Sequence, residues 1–268
     1  MTRLKTTLEN LQISNQKAFS VFLMSGYPDK ETFLDTMHLC ANSGVDFMEI
    51  GMPFSDPSAD GPVIKNAGTH ALNNGTTVAQ TINTIKEFRQ LNKTTPIVWM
   101  GYFNSIYNYG IEKFLEDIEN AGVDGLLIVD LPAEEFQRIE SIKNKNLDLI
   151  HLVTPVTSKE RLPMILSSSS GFIYFVSING ITGTKEAQDK AIKQNVEFLK
   201  SQTELPVIVG FGIKNSEKAK EINKFADGCI VGSAAISKIT KYMDNNKIEH
   251  KEEMFKELKS FITSFKNQ

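Results

Sequence analysis

Eight short apolar runs, helix-period polar segments between them, and Gly or Asp placed repeatedly just before a run predict the fold class. It is α/β, a single (β/α)8 barrel (TIM-barrel class) spanning residues 1–268, with an extra N-terminal helix. The runs are 20–25, 47–51, 97–102, 125–130, 149–154, 172–177, 207–212 and 228–233. Short, near-continuous apolar runs fit parallel strands covered on both faces. Polar segments at 30–43, 77–90, 111–121, 134–144, 186–200 and 216–225 have helical spacing. Strands alternating with helices make βαβ units, and eight units close a barrel of about 250 residues. The alternative is an open doubly wound sheet, which carries a Gly-rich fingerprint after its first strand; MSGYPDKE at 24–31 is not one.

In chain order, the first dozen residues have helical character and are expected to plug the barrel bottom. NSGVDF at 42–47, NAGVDG at 120–125 and FADG at 225–228 each set a Gly or Asp between a helix and the next strand, the turn chemistry expected of repeated αβ units. The tail, 247–265, carries Met254, Leu258, Phe261, Ile262 and Phe265 at helical spacing and reads as the last outer helix.

Composition excludes several classes of function. With 268 residues, 41% of them hydrophobic, the chain can bury a full core as one unit. A net charge of −3 gives no basic surface for nucleic acid or anionic lipid. No run approaches the ~18 apolar residues of a membrane helix and no signal core opens the chain, so a soluble, cytoplasmic protein is expected. Cys40 and Cys229 each sit in an apolar run and read as core thiols. His38, His70, His151 and His250 show no ligand spacing, and no metal site is expected.

The chemistry concentrates in MEIGMPFSDPSADG, 48–61. Glu49 is the one ionisable residue of an apolar strand, where a carboxylate loses hydration and is rarely kept without a partner or a task. The Pro-rich loop that follows returns a second acid, Asp60. Two carboxylates in unlike environments are how a site separates an acid from a base. Each has a plainer explanation: Glu49 as a structurally paired acid, Asp60 as the cap of the helix starting near Pro62, and Asp56-Pro57 as simple turn chemistry.

Strand C-terminal ends form the active face of such barrels. There the sequence delivers Trp99, Met100, Tyr102, Leu127, Val129, Val153 and Tyr174, a pocket suited to a flat aromatic ligand. The last three loops offer Gly183-Thr184, Gly210-Phe211-Gly212 and Gly232-Ser233, where glycines let backbone approach an anion and Gly232-Ser233 can open a helix facing it. A phosphate is the expected ligand.

These pieces, EIGMPFSDP with ADGP at 59–62, DLP at 130–132, GITG at 180–183, GFGI at 210–213 and Gly232-Ser233, resemble the tryptophan synthase α subunit family over nearly the whole chain. The resemblance implies a lyase cleaving indole-3-glycerol phosphate to indole and glyceraldehyde 3-phosphate. It implies Glu49 and Asp60 as the catalytic pair with Tyr174 beside them, and Phe22, Met100, Leu127 and Val153 around the indole. It also implies Gly183, Phe211, Gly212, Gly232 and Ser233 at the phosphate end. Asp56, Pro57, Asp130 and Pro132 would face a partner β subunit in an α2β2 tetramer. No cofactor is implied for this chain; pyridoxal phosphate is expected only in the β subunit. Ser58, Ile181 and the pair Ile178-Asn179 depart from the family pattern. The rival functions are another phosphate-binding barrel such as a sugar-phosphate isomerase, a free-standing indole-releasing lyase, and a barrel that mainly activates its partner. The loop 180–190 reads as a polar lid.

Overall fold

The computed structural model describes residues 1–176, 185–210 and 212–266, the side chains of 185–188 excepted. Eight parallel strands follow one another around a closed barrel: β1 (Ala18–Met24), β2 (Phe47–Gly51), β3 (Ile97–Gly101), β4 (Gly125–Ile128), β5 (Asp148–Val153), β6 (Ile173–Phe175), β7 (Val207–Val209) and β8 (Gly228–Val231), with β8 pairing back to β1. Each expected strand is present. Several end earlier than their apolar runs, because the last residues leave the ladder to shape the active face.

The helices are α1 (Arg3–Ile13), α2 (Lys30–Asn42), α3 (Pro62–Asn73), α4 (Val78–Leu91), α5 (Phe103–Tyr109), α6 (Ile111–Ala121), α7 (Leu162–Ser168), α8 (Lys185–Lys200), α9 (Ser216–Asn223), α10 (Ser233–Thr240) and α11 (Lys251–Lys266). The expected helix at 134–144 is a 3-10 segment, Ala133–Asn144, broken at Ile139 by non-helical φ/ψ. A small hairpin, β9 (Met243–Asp244) with β10 (Lys247–Ile248), precedes α11. Its turn places Asn245 and Asn246 at φ 46° and 63°, a conformation asparagine tolerates better than most residues.

Side chains alternate across each strand, and the register fixes which face the barrel interior. Phe22 lies opposite Glu49, Met100 opposite Leu127, and Leu152 opposite Tyr174. The other set faces the helices: Phe19 stacks on Phe265 of α11 at 4.6 Å, and Trp99 meets Phe114 of α6 edge-on at 5.2 Å. His151 pairs with the Ser168 hydroxyl at the end of α7. The tail helix buries Met254, Leu258, Ile262 and Phe265, the residues its spacing picked out, while Phe261 packs at the edge.

The three αβ turns share one device. Asp46, Asp124 and Asp227 each stand just before a strand and accept the N–H at the start of the preceding one, from Phe19 (2.8 Å), Ile97 (2.9 Å) and Val207 (3.0 Å). In each pair the aspartate N–H also donates to that residue's carbonyl. Gly44 and Gly122, at φ 93° and 87°, make the left-handed exit that lets a helix turn into such an aspartate.

α1 closes the bottom of the barrel, as expected. Thr2 caps it by accepting the Lys5 N–H and donates to Asp148. Leu4 is fully buried and lies where side chains on Gly125 and Gly171 would fall, within 3.2 and 3.3 Å. Arg3 and Arg89 converge on Asp124 and on the Gly122 carbonyl. Cys40 and Cys229 are buried free thiols, and burial pushes both pKa values to about 12.

Candidate active site

Glu49 sits in the middle of β2, pointing into the barrel, with 1% of its surface exposed. Neither carboxylate oxygen has a hydrogen-bond partner among the described residues. An ionised carboxylate in that state is costly, so the acid stays protonated instead. Burial, reinforced by the negative charge of Asp60, pushes its pKa to about 8, with the facing Tyr174 hydroxyl acting in the opposite sense. Among the described residues no cation pairs with Glu49, and the Tyr174 hydroxyl is the polar group that faces it.

Asp60 occupies the loop between β2 and α3. The residue capping α3 is Gly61, and no side chain caps that helix, so Asp60 is not its cap. Its carboxylate instead accepts from the Tyr102 hydroxyl at 3.2 Å. Burial pushes the Asp60 pKa upward, while the Tyr102 hydroxyl and the Lys65 ammonium pull against it. Among the described residues Glu49 has no donor within hydrogen-bond distance, and that asymmetry favours a neutral Glu49 beside an ionised Asp60.

Tyr174 on β6 is buried, and its hydroxyl donates to the Gly210 carbonyl at 3.1 Å. Burial first, then the charge of Glu49, hold its pKa well above the usual value. Gly210 read in the sequence as a phosphate-loop glycine. The structure shows a packing requirement there as well, since a Cβ would lie 2.1 Å from the Tyr174 ring and hydroxyl. Gly51 does the same for Phe22, whose ring lies 2.2 Å from where that Cβ would stand.

Phe22, Met100 and Leu127 share the interior face with Glu49 and Tyr174. Two expectations change. Trp99 turns outward onto Phe114 and does not line the pocket. Strand alternation puts Val153 on the helix side with His151, and Leu152, which is partly exposed and paired with Tyr174, on the pocket side. Counting on two from His151 reaches Val153 on the same face and leaves Leu152 on the other.

At the far end, Gly232 precedes α10 and Ser233 is its first residue; no side chain caps the helix. Gly232 lies beside Phe22, since a Cβ there would stand 3.5 Å from the Phe22 Cβ, so this helix start adjoins the inner-face residue paired with Glu49. Gly212 is exposed at φ 74°. Gly183 and Phe211, with Ile178, Asn179, Ile181 and the first part of the expected lid, lie outside the described residues; Lys185 onward belongs to α8. On the rim, Asp56, Asp130 and Pro132 are exposed and Pro57 is half-buried. The Asp130 carboxylate accepts the Phe103 N–H at 2.7 Å at the start of α5. Among the described residues, no helix is long and apolar enough to cross a membrane.

A closed (β/α)8 barrel that sets a buried acid on its inner face, with a second carboxylate tethered in the loop that follows, belongs to the class of barrels built for enzyme chemistry. The family model described as tryptophan synthase alpha chain matches residues 8–268. The tryptophan synthase subunit alpha of Legionella pneumophila str. Paris is 34% identical with a TM-score of 0.90, covering 100% of this chain and 98% of its own. Mycobacterium tuberculosis tryptophan synthase is 32% identical at TM-score 0.86, covering 98% and 96%. A protein of Aquifex aeolicus VF5 is also 32% identical, at TM-score 0.87, covering 100% and 98%. The chain belongs to the tryptophan synthase alpha chain family. It is accordingly a carbon–carbon lyase of tryptophan biosynthesis that cleaves indole-3-glycerol phosphate and hands indole to a β subunit.

Proposed function

We propose that Glu49 and Asp60 perform this cleavage, with Tyr174 packed against Glu49 to hold it in place. The observation that carries the proposal is a fully buried Glu49, without a hydrogen-bond partner among the described residues, beside an Asp60 that keeps its own donor. Neutral Glu49 donates its proton to indole C3. The ring nitrogen becomes cationic, and Asp60, accepting the ring N–H, stabilises that charge. The Glu49 carboxylate then takes the proton of the hydroxyl on the side-chain carbon attached to C3. That carbon becomes the aldehyde of glyceraldehyde 3-phosphate, the C–C bond breaks, and its electron pair returns to the ring, restoring neutral indole. One group with a pKa of about 8 serves both steps near neutral pH.

Phe22, Met100, Leu127 and Leu152 enclose the indole. The uncapped start of α10 at Gly232-Ser233 receives the phosphate, whose charge its free N–H groups favour. The chain acts as one domain over residues 1–268, without a cofactor of its own. Pyridoxal phosphate resides in the β subunit, which docks on the rim carrying Asp56, Pro57, Asp130 and Pro132 to form a cytoplasmic α2β2 tetramer.

The test is indole release from indole-3-glycerol phosphate by the full chain, with and without a cognate β subunit. Glu49→Gln should lower turnover by about 10²–10⁴ with circular dichroism and substrate binding retained; unchanged turnover would sink the acid–base assignment. Release that rises strongly with β supports the tetramer, whereas fast release indifferent to β points to a free-standing lyase.

A further inference from the structure

We propose that Tyr102 is the positioning residue of the catalytic loop, holding Asp60 aimed at the substrate ring through its hydroxyl. The inference rests on Asp60 acting as proposed above. Tyr102 directly follows β3 and is 3% exposed. Its hydroxyl makes two bonds to one stretch of chain: it accepts the Ala59 N–H at 3.1 Å and donates to Asp60 Oδ2 at 3.2 Å. Its ring stacks on Phe54 at 4.9 Å and 21°. One side chain therefore grips the β2–α3 loop near both ends, at Phe54 and at Ala59-Asp60. The Ala59 N–H occupies a lone pair of the hydroxyl, so its proton is directed at the carboxylate.

Tyr102 is itself held from the other side. It is the residue before α5, and the next N–H, that of Phe103, is fixed by Asp130 from the end of β4. The contact is thus built from three strands, where a loop proline alone would only stiffen the chain.

The consequence is electrostatic as well as geometric. The groups facing Asp60 are Glu49 on β2, Tyr174 on β6, Lys65 on α3 and Tyr102 after β3. Tyr102 is in turn faced by Asp130. Among these, Tyr102 donates a hydrogen bond to the carboxylate, and such a bond favours its ionised form. Without it the Asp60 pKa rises further, so the acid limb of kcat/KM moves to higher pH.

Tyr102→Phe keeps the ring and its stacking on Phe54 and deletes the hydroxyl. We expect kcat to fall about tenfold to a hundredfold with KM little changed, since Asp60 acts on charge that develops during reaction. The acid limb should move up by about one pH unit. Site-specific 3-fluorotyrosine at 102 keeps the shape, donates more strongly and should move the limb down; it also serves if the phenylalanine variant does not fold. Titration of a ¹³C-labelled Asp60 carboxyl reads the same shift without turnover. An unmoved limb and an unmoved carboxyl titration overturn the inference while leaving the cleavage reading intact. Wild-type chain that releases no indole overturns the cleavage reading, and the carboxyl titration still decides whether Tyr102 governs Asp60.

Discussion

At the residue scale, the site depends on side chains that are missing as much as on those present. Tyr174 can lie against Glu49 because position 210 has no Cβ, and Phe22 can lie across the end of β2 because position 51 has none. Gly210→Ala forces a methyl group to within 2.1 Å of the buried Tyr174 ring. Tyr174 must shift, its bond to the Gly210 carbonyl is lost, and Glu49 loses its neighbour. Turnover should fall at least tenfold, on the general rule that an ångström of misplacement costs about 10² in rate. Steady-state kinetics beside a thermal melt checks this; full activity would mean that Tyr174 does not matter to the reaction. Glu49 was legible in the sequence as a lone acid in an apolar strand. The neighbour relations were not, because nothing local to Gly210 says that a tyrosine from β6 will lie over it.

At the scale of elements, α10 is the piece whose start matters. It begins at Ser233 with Gly232 before it and no capping side chain, and it lies beside Phe22. Among the described residues no side chain caps its first N–H groups, and its dipole favours an anion there. Ser233→Asp places a carboxylate where the substrate phosphate is expected. The helix itself should tolerate it, since acids near helix starts are favourable. Substrate affinity should nevertheless drop about tenfold or more through like-charge repulsion. Isothermal titration with indole-3-glycerol phosphate, using the Glu49→Gln background to prevent turnover, measures it; undiminished affinity removes the phosphate from this helix. The periodicity of the outer helices was plain, as α11 shows, whereas the hairpin before it had only its Asn-Asn turn as a signal. The 3-10 segment, Ala133–Asn144, carried a helical pattern that did not forecast the break at Ile139.

At the scale of the whole molecule, the two ends of the barrel divide the work. The bottom holds a buried ion cluster in which Asp124, 2% exposed, accepts from Arg3, Arg89 and the Ile97 N–H. Asp124→Ala leaves the Arg89 guanidinium without its carboxylate in a buried setting. Removing one partner of such a pair costs about 3–5 kcal/mol. The chemical-denaturation midpoint should fall accordingly, while kcat/KM of the folded fraction stays near wild type, because the change sits on the face opposite Glu49. A loss of activity without loss of stability would contradict that division.

The sequence by itself determined the eight-strand alternation, the aspartates before β2, β4 and β8 and the amphipathic tail, and it singled out Glu49 and Asp60 as the candidate acids. All of these are written in local period and turn chemistry, which a single chain segment carries alone. The tertiary structure alone decided that Asp60 is tied to Tyr102 and not to the helix after it. It likewise turned Trp99 away from the pocket, put Leu152 rather than Val153 on the inner face, and made Gly210 the seat of Tyr174. Those outcomes depend on barrel register and on contacts between residues up to 42 positions apart in the chain, such as Asp60 and Tyr102. A one-residue change in strand phase reverses every side chain, and no short stretch of sequence fixes that phase until its neighbours pair with it.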